Sequence, residues 1–153
     1  MPGALSYERI LCPSVEGNPR NGEGAVVELA DGRLLLIYGE FYGGGDDAMA
    51  TLQGLLSSDR GRTWGEKHLV QPNVGGRNVM SVSLLRLAEG DILMAFLRKD
   101  GSRAQCTPFL RRSADEGRTW SEAQPATPVS DAYYVVNNDR LVQLRGGRIL
   151  MPA

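Results

Sequence analysis

The octapeptide SSDRGRTW occupies residues 57–64, and SADEGRTW repeats it at residues 113–120. Serine, aspartate, glycine, threonine and tryptophan stand at the same places in both copies. An aspartate in such a turn can accept hydrogen bonds from the backbone, and a glycine permits a positive φ. The tryptophan can bury a large apolar area between neighbouring sheets. We therefore expect two equivalent turns, each followed by a buried tryptophan.

A second motif repeats with nearly the same period. It reads LADGRL at residues 29–34, LAEGDI at 87–92 and LRGGRI at 144–149. Each copy has a glycine turn between two apolar stretches, which is the pattern of a β-hairpin. Two independent motifs that recur together in a fixed order indicate one supersecondary unit, used more than twice.

Each unit reads as strands, and no segment has a sustained helical period. The apolar runs LLLI at 34–37 and ILMAFL at 92–97 fit strands that are covered on both faces. Four antiparallel strands repeated about every 57 residues are typical of a β-propeller blade. The predicted fold is an all-β propeller over residues 1–153, with blade 1 at about 20–72, blade 2 at about 77–130 and a partial blade 3 at about 135–153.

The number of blades predicts that more protein is involved. Propellers close with four or more blades, so we expect this chain to be the N-terminal part of a longer propeller, with the remaining blades as its nearest partners. The alternative is a complete short chain that assembles with copies of itself into a closed ring.

Composition excludes several classes of protein. The chain has 153 residues, of which 42% are apolar and 23% charged, with a formal net charge of −1. These values argue against a disordered chain, a membrane span or a nucleic-acid-binding surface. With Cys12, Cys106 and His68 as the only cysteines and histidine, we predict no metal site and no cofactor. No secretory signal is seen, which favours a cytoplasmic location.

The two octapeptides resemble Asp-boxes, also called bacterial neuraminidase repeats, which occur in sialidases and related six-bladed propellers. The stretches at 20–24 and 133–140 also resemble sialidase-like hydrolases. The resemblance implies a sialidase-like glycoside hydrolase that removes a carboxylated sugar, such as sialic acid, from a glycan. It also implies that the nucleophilic tyrosine, its glutamate partner and the later arginines belong to later blades.

Topology predicts which end of the sheets is functional. Alternate connections of an up-and-down sheet lie at opposite ends. The loops between the second and third strands therefore lie at the same end of the sheets as the beginnings of the first strands. We call this end the loop end. Polar side chains collect there, as they do on many binding scaffolds. The substrate-binding candidates at this end are Asp47, Arg77, Asn78, Arg98, Asn138 and Arg140.

The resemblance assigns catalytic roles to two further residues. Arg20 matches the first arginine of the family triad, which holds a substrate carboxylate, and Asp46 matches the acid/base aspartate. An arginine presents a planar fork to a carboxylate, and a protonated carboxyl group can protonate a leaving oxygen. Alternatively, Arg20 pairs with Glu23, and Asp46 or Asp47 only shapes a turn. The other class of function is a non-catalytic carbohydrate-binding or scaffolding propeller.

Overall fold

A computed structural model describes residues 10–101, 103 and 105–153. These residues form β-strands and no α-helix, as the sequence predicts, and none of them forms a helix able to cross a membrane. The strands are β1 (Arg20–Glu28), β2 (Leu34–Phe41), β3 (Ala50–Ser57), β4 (His68–Gln71), β5 (Asn78–Arg86), β6 (Ile92–Lys99), β7 (Cys106–Ser113), β8 (Gln124–Pro125), β9 (Val142–Gln143) and β10 (Ile149–Leu150).

Three antiparallel sheets follow one another along the chain. Sheet 1 (residues 20–71) contains β1 to β4 in sequence order, and sheet 2 (residues 78–125) contains β5 to β8 in the same order. Sheet 3 (residues 142–150) contains only β9 and β10. Two complete four-stranded sheets and part of a third confirm the predicted fold class. The blade and domain boundaries stay a prediction.

The main core lies between sheets 1 and 2. Ile37 and Leu52 of sheet 1 pack in one cluster with Val82, Met94 and Phe96 of sheet 2, and all five are buried. A second cluster joins sheet 2 to the third repeat, through Leu87, Leu93, Ala95 and Leu141. The strand β6 is thus covered on both faces, which explains its continuous apolar run. Removal of these side chains from water is the main force that holds the sheets together.

The two octapeptide turns have the same hydrogen bonds. In the first, Ser57 Oγ accepts from the Gly61 N–H at 2.8 Å, and the Asp59 carboxylate accepts from the N–H and the hydroxyl of Thr63 at 2.8 and 2.7 Å. The bonds from the Thr63 N–H and hydroxyl lower the pKa of Asp59 to about 2. The second turn repeats the three bonds at 2.8, 2.8 and 2.6 Å. Each turn is therefore stabilised by its own residues.

The tryptophans after these turns are half-buried, so the expectation of full burial was wrong. Trp120 packs against the main core from its edge. Trp64 belongs to none of the core clusters of the described residues, and its Nε1 donates to the Gly61 carbonyl at 3.1 Å. The difference follows from position, because Trp120 meets sheet 1, whereas no described sheet covers Trp64.

The ends of sheets 1 and 2 meet as the topology predicts. Glu116, in the second octapeptide turn, accepts from Arg86 Nη1 and Nη2 at 2.8 and 2.7 Å, and from the Ala30 N–H at 2.8 Å. Ala30 belongs to the first turn of sheet 1, so octapeptide turns and first turns share one end. The loop end is opposite, where β1 and β5 begin.

Candidate functional site

The structure brings Arg20 and Asp46 into contact at the loop end. Arg20 is the first residue of β1, and Asp46 lies in the loop between β2 and β3. Arg20 Nη1 is 2.7 Å from Asp46 Oδ1, and the guanidinium lies 4.0 Å from the centre of the Phe41 ring. Arg20 and Phe41 are paired in the antiparallel register, which places the guanidinium over the ring. The sequence-based alternative, an Arg20–Glu23 pair, is not what the structure shows.

The exposure of this pair leaves it accessible to a ligand. The Asp46 side chain is 72% exposed and that of Arg20 27%. The Phe41 ring beneath the guanidinium is buried, so it supports one face of Arg20 and limits its orientations. An arginine held in this way can bind an anionic group. The accessible carboxyl group beside it can transfer a proton at the same place.

Asp47, the neighbour of Asp46, is held by a lysine of sheet 2. Its Oδ1 lies 2.8 Å from Lys99 Nζ, and the Lys99 side chain is only 3% exposed. This hydrogen bond from Lys99 lowers the pKa of Asp47. Lys99 is the last residue of β6, and sequence reasoning did not include it among the site residues. The signal available was a lysine that, together with Arg98, follows the apolar run of β6.

Asn78 lies at the loop end, but its side chain does not reach the surface of the protein. It is 0% exposed, and its Nδ2 donates to the backbone carbonyls of Asp46 and Ala48 at 2.8 and 2.9 Å. A side chain without exposed surface holds the loop rather than a substrate. The structure therefore makes Asn78 a support of Asp46 instead of the substrate contact that we predicted.

A shared backbone distortion occurs near the loop end in β1, in β5 and in the turn before β9. Glu23, Ser81 and Asp139 have φ values of 52°, 54° and 55°, although none is glycine. The register of β1 and of β5 shifts at Glu23 and Ser81, respectively, as expected for a bulge. Left-handed residues other than glycine cost free energy and concentrate at functional sites. The three residues differ in type, so no sequence motif reveals them.

Polar contacts link the three distorted segments to one another. Ser81 donates to Glu23 Oε2 through its N–H at 3.1 Å and through its hydroxyl at 2.7 Å. Asn138 Nδ2 donates to the Gly24 carbonyl at 3.0 Å, which connects the third repeat to the first. Asn138, in the turn before β9, is therefore close to β1.

The remaining predicted residues are three arginines, of which Arg77 lies near enough to Asp47 for its charge to lower the pKa of that carboxyl group. Arg98 Nε is 2.9 Å from Asp100 Oδ2, and its guanidinium lies over the Phe109 ring. Arg77 is exposed and holds Lys99 only through a backbone bond of 2.9 Å. Arg140 is exposed and lines a cavity of about 290 Å³ near the end of the chain. Among the described residues, no hydrogen bond or ion pair joins these arginines to Arg20 or Asp46.

A second polar cluster, which the sequence did not predict, surrounds a buried glutamate of sheet 1. Glu40 Oε2 is 2.6 Å from Lys67 Nζ and 3.4 Å from the Tyr38 hydroxyl, and Oε1 is 3.3 Å from the Tyr42 hydroxyl. Burial, followed by contact with Cys12, raises the pKa of Tyr38. The cluster lines a cavity of about 310 Å³ that residues 11–18 close from the other side. Its groups are paired with one another.

Metal binding receives no support from the described residues, since they contain no group of three or more histidine, cysteine, aspartate or glutamate side chains that could hold an ion. The groups that the structure places at the loop end are carboxylates, Arg20 and Lys99.

Comparison with known proteins identifies the fold. No family model matches the chain, and no curated protein matches it. A protein of unknown function from Dyadobacter fermentans is similar in structure, with a TM-score of 0.73 and 17% identity over 89% of this chain and 46% of that one. The Hadza microbial sialidase Hz136 has a TM-score of 0.69 and 19% identity over 89% of this chain and 32% of that one.

An α-L-arabinanase from Penicillium chrysogenum, solved with arabinobiose, has a TM-score of 0.63 and 23% identity over 87% of this chain and 41% of that one. The chain thus spans less than half the length of each of these three structures. At such identities the likeness shows the fold alone, which is that of the β-propeller glycoside hydrolases.

Proposed function

We propose that the chain is part of a sialidase-like glycoside hydrolase that removes a terminal carboxylated sugar, such as sialic acid, from a glycan. The observation that supports this most is the contact between Arg20 and Asp46, two residues 26 positions apart, at the loop end. The chain shares its propeller fold with glycoside hydrolases, which supports the proposal by analogy of fold and not of site.

In this proposal Arg20 binds the carboxylate of the sugar. Asp46 occupies Nη1 of Arg20 when no substrate is bound. A substrate carboxylate competes with Asp46 for the guanidinium, because both are anions that fit the same donors. Binding therefore separates Asp46 from Arg20 and places a second negative charge near it.

Asp46 then acts as the proton donor to the leaving oxygen. Its exposed side chain allows it to reach a bound glycan, while Asn78 and Lys99 hold its backbone. We assign no nucleophile within this chain, because the resemblance places the nucleophilic tyrosine in a later blade. The substrate partner is a glycan, and the chemistry that we propose uses no metal or cofactor.

The test of Asp46 compares two leaving groups in the full-length protein. General acid assistance is worth about 10²–10⁴-fold, so Asp46→Asn should lower kcat by that order on a sialoside with a poor leaving group. A sialoside of an activated phenol needs little protonation and should lose much less. Equal losses on both substrates would exclude Asp46 as the acid and make Asp47 the next candidate.

The test of Arg20 compares charged and neutral sugars. Arg20→Ala should raise the KM for carboxylated substrates and leave neutral glycosides unchanged, because only the former use the guanidinium. If the wild-type protein cleaves no sialoside, the proposed activity is wrong while the fold stands.

A non-catalytic carbohydrate-binding propeller is the second candidate. The ion pair between Arg20 and Asp46 favours this candidate, because two opposite charges form such a contact whether or not either residue takes part in catalysis. Sialoside binding by calorimetry without any hydrolysis would support this candidate over the enzyme.

A further inference from the structure

Lys99 is a buried cation at the boundary between sheets 1 and 2. It ends β6 with a side chain that is 3% exposed, whereas Lys67, the other lysine of the chain, is 54% exposed. Burying an ammonium group costs free energy unless the group is paired. The position equivalent to Lys99 in sheet 1 is held by Phe41, so packing alone does not require a charge there.

The Lys99 ammonium group contacts the loop that carries Asp46 and one tyrosine of another segment. Its Nζ is 2.8 Å from the Asp47 carboxylate and 3.3 Å from the Asp46 carbonyl. It also lies 5.5 Å from the centre of the Tyr133 ring, in the segment that leads into the third repeat. One ammonium group of sheet 2 thus contacts the side chain of one loop aspartate and the backbone of the other.

Asn78 completes this support from the opposite strand. It is paired with Lys99 in the register of β5 and β6, and its amide donates to the Asp46 and Ala48 carbonyls. The Asp46 carbonyl therefore receives two donors from sheet 2, while its carboxylate remains exposed beside Arg20. The backbone is held on one side, and the reactive group is presented on the other.

We propose that Lys99 is a positioning residue for Asp46, fixing from sheet 2 the backbone of the loop in sheet 1 that presents this carboxyl group. The catalytic part of this proposal rests on the proposed function, and the structural part does not. Lys99 does not touch the substrate, so its effect should appear in proton donation and not in binding.

The kinetic test uses Lys99→Met, with Lys67→Met as the matched control in the full-length protein. Lys67 also forms a close ion pair, with Glu40 at 2.6 Å, but this pair includes neither Asp46 nor Asp47. Small misplacements of a catalytic group can cost up to about 100-fold. We expect Lys99→Met to lower kcat by about 10- to 100-fold for the poor leaving group, with KM nearly unchanged and a much smaller loss for the activated phenol. Lys67→Met should leave both substrates unaffected.

A second variant covers the case in which Lys99→Met does not fold. Asp47→Asn removes the ion partner of Lys99 at an exposed position and should produce the same leaving-group dependence in weaker form. An equal loss of kcat on both leaving groups, in either variant, would overturn the proposal.

A measurement without any substrate tests the structural part. The loop has internal backbone bonds from the Ala48 N–H to the Gly45 carbonyl at 3.1 Å and from the Tyr42 N–H to the Met49 carbonyl at 2.9 Å. Hydrogen exchange at these two amides should be faster in Lys99→Met than in the wild type. The control Lys67→Met should leave exchange at the Ala48 amide unchanged; the Tyr42 amide does not serve for this control, because the Tyr42 hydroxyl is bonded to Glu40, the partner of Lys67. Unchanged exchange in Lys99→Met would overturn the proposal even in a protein without glycosidase activity. Faster exchange in a protein without glycosidase activity would support the positioning of the loop by Lys99 and would reject only the proposed function.

Discussion

Leu36 and Met94 stand at equivalent positions of β2 and β6, opposite Val26 and Leu84, respectively. In sheet 2 this pair is buried, with Met94 at 0% and Leu84 at 5% exposure. In sheet 1 Leu36 is half-buried, and Val26 is 47% exposed. The strand pattern is the same, and the difference arises because sheet 2 packs this face against sheet 1. Equivalent residues therefore contribute differently to stability.

The same face differs in polarity nearer the loop end. Sheet 2 has Phe96 there, stacked on Phe109 with the ring centres 6.1 Å apart. The equivalent residue of sheet 1 is Tyr38, next to the buried Glu40 and its partner Lys67. Residues 11–18 close the cavity over this polar cluster. Polar groups are tolerated there because they bond to one another, whereas sheet 2 uses apolar contacts in the same place.

The largest effect is expected from truncation of the equivalent residues of β2 and β6. Met94→Ala should lower the free energy of unfolding by about 3 kcal/mol, because it leaves a cavity in the main core. Leu36→Ala should cost only about 1 kcal/mol, because its site is already half-exposed to water. Denaturant unfolding of both variants measures the difference. Equal losses would mean that another element covers the face of sheet 1.

The two tryptophans extend the comparison to the octapeptide turns. Trp120→Ala should cost about 2 kcal/mol, since Trp120 packs against the main core, and Trp64→Ala about 1 kcal/mol. The same denaturant unfolding experiments test this. A larger loss for Trp64 would show that its environment in solution differs from that of the described residues.

Glu116 and Arg60 occupy equivalent places in the two turns, with φ values of 63° and 62°. Glu116 is bonded to Arg86 and to the Ala30 backbone, whereas Arg60 is exposed. Glu116→Gln should lower the free energy of unfolding by about 1 kcal/mol through loss of charge-assisted bonds. Arg60→Gln, the matched control, should produce no measurable change at neutral pH.

The difference in the free energy of unfolding between the wild type and Glu116→Gln depends on pH through the pKa of Glu116. Hydrogen bonds from Arg86 lower this pKa from 4.5 to about 2 against the opposing effect of burial, and the Ala30 N–H acts in the same direction as Arg86. A carboxyl group with a lowered pKa in the folded state contributes its full stabilisation at any pH above its pKa in the unfolded state. The stabilisation is lost as pH falls towards its pKa in the folded state. The stability gap between wild type and Glu116→Gln should therefore shrink as pH falls from about 4.5 to about 2. A gap that does not change with pH would show that the charge of Glu116 is not involved.

The smallest difference in stability is expected between equivalent substitutions in the two octapeptide turns, where both sheets have the same hydrogen bonds. Ser57 and Ser113 are both buried, and each accepts from a glycine N–H at 2.8 Å and donates to its aspartate. Ser57→Ala and Ser113→Ala should each cost about 1 kcal/mol, the ordinary value of a net hydrogen bond. The two losses should agree within about 0.5 kcal/mol, since the bonds are local to each turn. Clearly unequal losses in thermal or denaturant melts would show that a neighbouring sheet supports one of the turns.

The sequence was sufficient for the features that depend on residues close together in the chain. The octapeptides specified turns whose hydrogen bonds join residues two to four positions apart. The apolar run at 92–97 specified a strand covered on both faces, and the alternation of connections specified the loop end shared by Arg20, Asp46 and Asn78. Such features are determined locally, because backbone geometry and hydrophobic pattern are properties of short segments.

Only the tertiary structure determined which side chains meet between sheets. The 27-residue separation of Glu40 and Lys67 and the 52-residue separation of Asp47 and Lys99 carry no local signal. The contact of Arg20 with Asp46 rather than Glu23, the burial of Asn78 and Lys99, and the unequal packing of Trp64 and Trp120 follow from how one sheet lies against the next. Burial is a property of the neighbouring surface, so identical sequence motifs acquire different environments when only one of them has a sheet beside it.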